Sequence, residues 1–236
     1  MISVVGPCGW ESKEQCFKTI EFLQGKVDYI RAGIWKYRSD PDTYQGNPEA
    51  VEWIKEAKTK WDFKYVVEVY DTETLEAVKD IADMYQIGSR NMCSTRLLKQ
   101  VNKLGKPVLF KRHYAASVQE FWQHAGYLKD LEEVWLCLRG VMPMRCTDKR
   151  FQPDFDDIMR LRAYINTAGT NHKVIYDVSH SSGSVDLIPA SLIAAKAFGA
   201  EGIVLECHPS PKEALSDPLQ QVSFEEFTKL RKAGLI

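Results

Sequence analysis

No apolar run in this 236-residue chain approaches the roughly 18 residues of a membrane span. The amino terminus, Met1-Ile-Ser-Val-Val-Gly6, lacks the basic region and long apolar stretch of a secretory signal. Net charge is almost absent, at −1, so no global field draws the protein to nucleic acid or to a membrane surface. The six cysteines show no C-x-x-C spacing, and a chain of this size needs no disulfide framework. Reduced thiols and a cytoplasmic location are the expectation. Low-complexity tracts, long linkers and charge blocks are also missing. What remains is one globular domain over residues 1–236, 44% hydrophobic and 27% charged.

Short apolar runs alternate with helical patterns along the whole chain. Ile2–Val5 precedes a helix expected from about Ser12 to Gln24. Asp28–Ile30 precedes one from Pro48 to Lys60, and Tyr65–Val69 one from Thr72 to Ala82. Tyr85–Ile87, Pro107–Phe110 and Val134–Leu138 precede helices near Ser94–Lys103, Ser117–Lys129 and Phe155–Asn166. Val174–Tyr176 and Gly202–Leu205 precede Ile188–Phe198 and Phe224–Ala233. Nearly all-apolar strands with intervening helices mean a parallel sheet covered on its outside. Eight such units in this length close most simply into an α/β fold, the (β/α)8 TIM barrel. An open doubly wound sheet is the alternative, but no G-x-G-x-x-G follows the first strand.

In such barrels the active site lies at the C-terminal ends of the strands. Here strand two ends in Arg31, with Lys36 and Arg38 in its loop. Strand four runs into Arg90, strand five stops at Lys111-Arg112-His113, and strand six at Arg139, with Arg145 and Arg150 beyond. Cations converging on one rim of a neutral protein imply a ligand carrying phosphate and carboxylate, which also supplies their counter-charge. The other ends carry Cys8, His180, Glu206 and Asp217. One thiol, one imidazole and two carboxylates suit a divalent metal such as Mn, Fe, Co or Zn with open positions for substrate. A metal-dependent hydrolase barrel would want a His-x-His after strand one, and there is none.

Seven short motifs in order then carry a family resemblance. Gly6-Pro-Cys8 with Glu11-Ser12 is similar to G-P-C-S-x-E-S. The stretch Arg31 to Gly46 is similar to R-G-G-x-x-K-P-R-T-S-P-x-x-F-Q-G. Gln86 to Met92 is similar to Q-I-G-A-R-N-M, and Gly105 to Arg112 to G-K-P-V-L-L-K-R. Asp177-Val-Ser-His180, Glu206-Cys-His-Pro209 and Ala214-Leu-Ser-Asp217 are similar to D-P-S-H, E-V-H-P and A-L-S-D. Over essentially its whole length the chain resembles the type I 3-deoxy-D-arabino-heptulosonate 7-phosphate (DAHP) synthases. The resemblance implies a metal-dependent condensation of phosphoenolpyruvate with erythrose 4-phosphate.

Carried over position by position, the resemblance makes Cys8, His180, Glu206 and Asp217 metal ligands. Arg90, Lys111 and Arg139, with Arg31 close by, would hold phosphoenolpyruvate. Lys36, Arg38 and Ser39 would receive the aldose phosphate. Lys111 would donate a proton, and His180 would orient or deprotonate the attacking water. A homo-oligomer, dimer or tetramer, is implied too.

The chain departs from the family at Tyr37 and Asp40, which stand where the family has proline and serine. A carboxylate beside a phosphate seat is expected to pair with Arg38 or to point away. Two alternatives follow: condensation with another aldose phosphate, as in 3-deoxy-D-manno-octulosonate 8-phosphate synthases, and a catalytically silent barrel that binds metal or sugar phosphate. Without an amino-acid-binding regulatory extension on this chain, inhibition by Phe, Tyr or Trp is not expected.

Overall fold

The computed structural model describes residues 1–38, 40–143 and 151–236. Eight parallel strands close into a barrel in sequence order. They are β1 (Ile2–Gly6), β2 (Tyr29–Arg31), β3 (Tyr65–Val69), β4 (Met84–Ile87), β5 (Val108–Lys111), β6 (Val134–Leu138), β7 (Lys173–Asp177) and β8 (Gly202–Glu206). The ring closes where β1 pairs with β8, from Ile2 opposite Gly202 to Gly6 opposite Glu206. The helices are α1 (Lys13–Leu23), α2 (Ala50–Lys60), α3 (Thr72–Val78), α4 (Thr95–Asn102), α5 (Val118–Ala125), α6 (Asp156–Ala168), α7 (Val178–Ser182), α8 (Ile188–Ala197) and α9 (Phe224–Lys232). Among the described residues no helix is long and apolar enough to cross a membrane.

Helix starts follow side-chain capping. Ser12 accepts from the Gln15 amide at the head of α1, and Ser117 from Glu120 at the head of α5. Ser223 and Glu226 form a reciprocal capping box on α9, as Asp71 and Thr74 do on α3. Each satisfies orphan amide donors of a first turn. The helix expected over Thr72–Ala82 ends earlier, at Val78. Short α7 was not expected at all. It begins because the Asp177 carboxylate accepts from the His180 amide.

Alternation along the strands builds two apolar layers. Outward residues such as Val5, Val67, Ile87, Phe110, Leu136, Tyr176 and Leu205 are fully buried against the helices. Inward residues Val4, Val66, Met84, Leu109, Trp135, Cys137, Ile175 and Val204 fill the barrel, with Ile2 and Tyr29 against them. Strands buried on both faces need apolar side chains at every position, which is why they read as continuous runs. The filled interior is a packed plug that supports the site above it.

Candidate active site

One step beyond the plug, the inward positions become polar. Arg31, Glu68, Gln86, Lys111, Asp177 and Glu206 sit two residues after Tyr29, Val66, Met84, Leu109, Ile175 and Val204 on the same strands. Side chains two apart on a strand share a face, so this upper layer lies directly on the apolar one.

Its charges are already partly paired. Arg31 donates from Nη1 to the Pro7 carbonyl at 2.8 Å and to Glu206 Oε1 at 3.0 Å. Lys111 Nζ donates to Asp177 Oδ2 at 2.6 Å. Gln86 Nε2 donates to Glu68 Oε2 at 2.9 Å, and a Cβ at Gly88 would come within 1.9 Å of Glu68 Oε1. Glycine there leaves the room that this carboxylate occupies. Gln220 Nε2 donates to Glu206 Oε2 at 2.6 Å. The counter-charge expected from an anionic ligand alone is thus partly supplied by the chain's own carboxylates.

Arg112 leaves the rim altogether. It turns into a buried network with Asp154 and Asp157, where Asp154 also accepts from the Tyr176 hydroxyl and the Gly140 amide. The guanidinium of Arg139 stands over the Phe151 ring, 4.3 Å from its centroid. Arg145, Arg150 and Ser39 lie outside the described residues.

Burial works against every one of these charges, and partners decide the outcome. Burial pulls Asp177 upward, but His180 and Lys111 hold it well below the usual carboxylate range. His180 and Arg31 likewise keep Glu206 low against burial. For His180 burial wins over the opposing pull of Asp177 and Glu206, and its pKa is lowered. Ionised carboxylates are the form in which Asp177 and Glu206 donate electron pairs.

At the mouth, the loop after β2 folds onto Cys8. Lys36 Nζ lies 2.8 Å from the Cys8 carbonyl and 2.9 Å from its Sγ. Cys8 Sγ donates to Asp217 Oδ2 at 3.1 Å, and the Cys8 amide to Gln221 Oε1 at 2.9 Å. Arg38 Nη1 approaches Asp217 Oδ2 at 4.0 Å. Arg90 Nη1 donates to the Tyr37 carbonyl at 3.1 Å and so bridges the two halves of the cleft. Asp40 points away, as one of its two expected outcomes required: its carboxylate accepts from the Asp42 amide within an exposed turn. Arg31, Lys36, Arg38, Arg90, Lys111, Arg139, His180 and Asp217 all line one cleft, together with Tyr37, Glu68 and Gln86.

Cys8, Glu206 and Asp217 each offer a ligand atom within 4.8 Å of one another. His180 falls outside that triad, with Nε2 3.9 Å from Glu206 Oε1. Asp217 has φ of 49° and is the non-glycine residue found at positive φ among those described. Burial, followed by the Glu206 carboxylate, pushes the Cys8 thiol up to about 12. A thiol held that high becomes a thiolate ligand when a cation displaces its proton. A buried sulfur beside two carboxylates therefore fits a divalent metal by its donor chemistry.

The model of the DAHP synthetase I family matches residues 1–234. The chain belongs to the DAHP synthetase I family. A phospho-2-dehydro-3-deoxyheptonate aldolase of Thermotoga maritima is 34% identical over 232 residues, covering 96% of this chain and 67% of that relative. A crystal structure of the Thermotoga maritima DAHP synthase superposes with a TM-score of 0.90 at 33% identity, over 99% of this chain and 68% of that one. A truncated form of the Thermotoga enzyme superposes at 0.83 and 31% identity, over all of this chain and 88% of that one. A 2-dehydro-3-deoxyphosphooctonate aldolase of Legionella pneumophila is 24% identical, over 91% of this chain and 83% of its own length.

Within the family barrel, sequence reasoning overlooked the acceptors. Asp177 enters the sequence reading as a strand end within the motif similar to D-P-S-H, with no role of its own, yet it meets both Lys111 and His180. Gln86 was read only as part of a motif, and Gln220 and Gln221, which hold Glu206 and Cys8, were not considered. The signal available was the step of two: in β3, β4, β5, β7 and β8 a polar residue follows two positions after an inward apolar one.

Proposed function

We propose that this chain condenses phosphoenolpyruvate with erythrose 4-phosphate to give DAHP and inorganic phosphate, the first step of the shikimate pathway, in the cytoplasm. What carries the reading is a family match over residues 1–234 on a barrel in which one cleft gathers six cations beside a sulfur–carboxylate cluster.

In this reading Arg90, Lys111, Arg139 and Arg31 cradle the phosphate and carboxylate of phosphoenolpyruvate. Lys36 and Arg38 receive the acceptor phosphate. Fixed donors of this kind are oriented before the reaction and need no reorganisation as charge develops. The enol carbon C3 attacks the aldehyde carbon, and water adds at C2. The tetrahedral intermediate then expels phosphate by C–O cleavage. In the same reading Lys111 hands a proton to the developing alkoxide, and His180 orients the water.

Cys8, His180, Glu206 and Asp217 would hold a divalent cation, Mn, Fe, Co or Zn. When bound, such an ion supplies Lewis-acid polarisation of the aldehyde oxygen. Subunits would assemble into a dimer or tetramer.

The test is phosphate release from phosphoenolpyruvate with Mn2+ across four- and five-carbon aldose phosphates. Release with erythrose 4-phosphate is the expected result. Release with arabinose 5-phosphate alone would move the chain to the chemistry named in its octulosonate relatives. No release with any acceptor would leave a silent barrel and overturn the reading.

A further inference from the structure

We propose that Asp177 is a positioning residue that joins the phosphoenolpyruvate cradle to the metal-ligand cluster, so that the two sites are set by one carboxylate. The inference rests on the functional reading above and deepens it.

Asp177 ends β7 with no exposed surface. Its Oδ2 takes two contacts from different elements. Lys111 Nζ, from the tip of β5 and 66 residues earlier in the chain, donates at 2.6 Å. His180 Nδ1 lies 2.8 Å from the same oxygen, in contact but without a hydrogen bond formed between them. Oδ1 accepts from the His180 backbone amide at 3.0 Å, which starts α7 and sets where the imidazole begins. Asp177 is the hydrogen-bond acceptor for Lys111 Nζ among the described residues.

The geometry has two consequences. A carboxylate beside Nδ1 favours the tautomer with the proton on that nitrogen. The lone pair of Nε2 is then presented toward Glu206 Oε1, 3.9 Å away. The same oxygen restrains the Lys111 ammonium, which would otherwise swing within its cleft. A cation drawing on Nε2 makes Nδ1–H a stronger donor and tightens its claim on Oδ2. The hold on Lys111 loosens by the same act, and the ammonium is released toward an anion in the cleft. Metal and phosphoenolpyruvate should therefore favour each other's binding, and by linkage the two effects are equal. Packing alone would require no such coupling.

The decisive variant is Asp177→Asn. It keeps the shape, and its side-chain oxygen can still cap the His180 amide. It carries no charge to share between Lys111 and His180. Mn2+ and phosphoenolpyruvate dissociation constants are measured by calorimetry, each with and without the other ligand. In the wild type, Mn2+ should tighten phosphoenolpyruvate. In Asp177→Asn both ligands should bind at least tenfold more weakly, and the mutual tightening should vanish.

Wild-type affinities in the variant, loss confined to one ligand, or preserved coupling would each overturn the proposal. Should Asp177→Asn fail to fold, Lys111→Met, whose side chain has no donor, gives an independent readout. It alters no proposed ligand of the cluster, yet it frees Oδ2 for His180 and should tighten Mn2+ at least threefold. Unchanged Mn2+ affinity there would overturn the proposal as well. Failure of the functional reading shows separately, as wild-type protein that binds both ligands without releasing phosphate.

Discussion

The barrel interior holds two layers on the same strands, about 7 Å apart, with opposite chemistry. The lower is Val4, Val66, Met84, Leu109, Trp135, Ile175 and Val204, packed against one another without a charge. The upper is Arg31, Glu68, Gln86, Lys111, Asp177 and Glu206, nearly as buried and almost wholly polar. The lower layer contributes stability through apolar burial, at roughly 25 cal/mol per Å2. The upper layer contributes little net stability. Its ions lose hydration and regain it only in part through pairs such as Arg31–Glu206 and Lys111–Asp177. The difference teaches how closely the two are set: one step along a strand separates the apolar plug from the polar floor of the cleft.

Four substitutions break or sharpen that contrast. The largest effect belongs to Cys8→Ala. Stoichiometric metal binding and turnover should both disappear while the protein remains folded, as followed by metal titration and phosphate release. Full activity would sink the metal assignment.

Next comes the lower layer. Trp135 is 3% exposed and meets Tyr29 edge-on with ring centroids 5.3 Å apart. Trp135→Ala should cost about 3–5 kcal/mol in urea unfolding, with the Michaelis constants of the folded fraction unchanged. A change in phosphoenolpyruvate KM without loss of stability would erase the distinction between layers.

Arg90 offers the reverse case. It is exposed at the cleft mouth and donates to a single described acceptor, the Tyr37 carbonyl. Arg90→Ala should raise the phosphoenolpyruvate KM roughly 10- to 100-fold, the equivalent of losing a hydrogen bond to a charged group. Urea unfolding should move by less than about 0.5 kcal/mol.

The smallest effect lies below the plug. Burial lowers the pKa of His172, whose ring packs near Trp122. The folded state then resists a proton that the unfolded state accepts at about 6.5. Its contribution is intact above that pH and falls as pH drops toward the folded value. Unfolding measured between pH 7.5 and 5.5 should show a shallower decline in His172→Gln than in the wild type. Parallel declines would refute this.

Much of this architecture was legible in the residues alone. Apolar runs of strand length, separated by helical patterns, marked eight strands, because a strand buried on both faces tolerates few polar positions. Of the residues lining the cleft, the cations Arg31, Arg90, Lys111 and Arg139 were visible at or just after strand ends. Helix lengths were less so: α3 stops at Val78 where the pattern ran to Ala82, since the chain turns there toward β4. Arg112 was misplaced for a plainer reason. Neighbours on a strand face opposite ways, so only Lys111 could look into the barrel, and Arg112 had to find Asp154 and Asp157 outside it. The fate of Asp40 was open until the turn that absorbs its carboxylate could be seen.

The sequence by itself determined the repeating unit, the order of strands and the kinds of side chain at their tips. Each is a local property, carried by periodicity of two or of 3.6 residues and by short motifs. Only the tertiary structure decided which tip meets which. Lys111 finds Asp177 across 66 residues, Arg31 finds Glu206 across 175, and Cys8 finds Asp217 across 209. Those pairings come from closing the sheet, where β1 meets β8 in a fixed register. No local pattern specifies the register, because it is set by how eight strands share one packed interior.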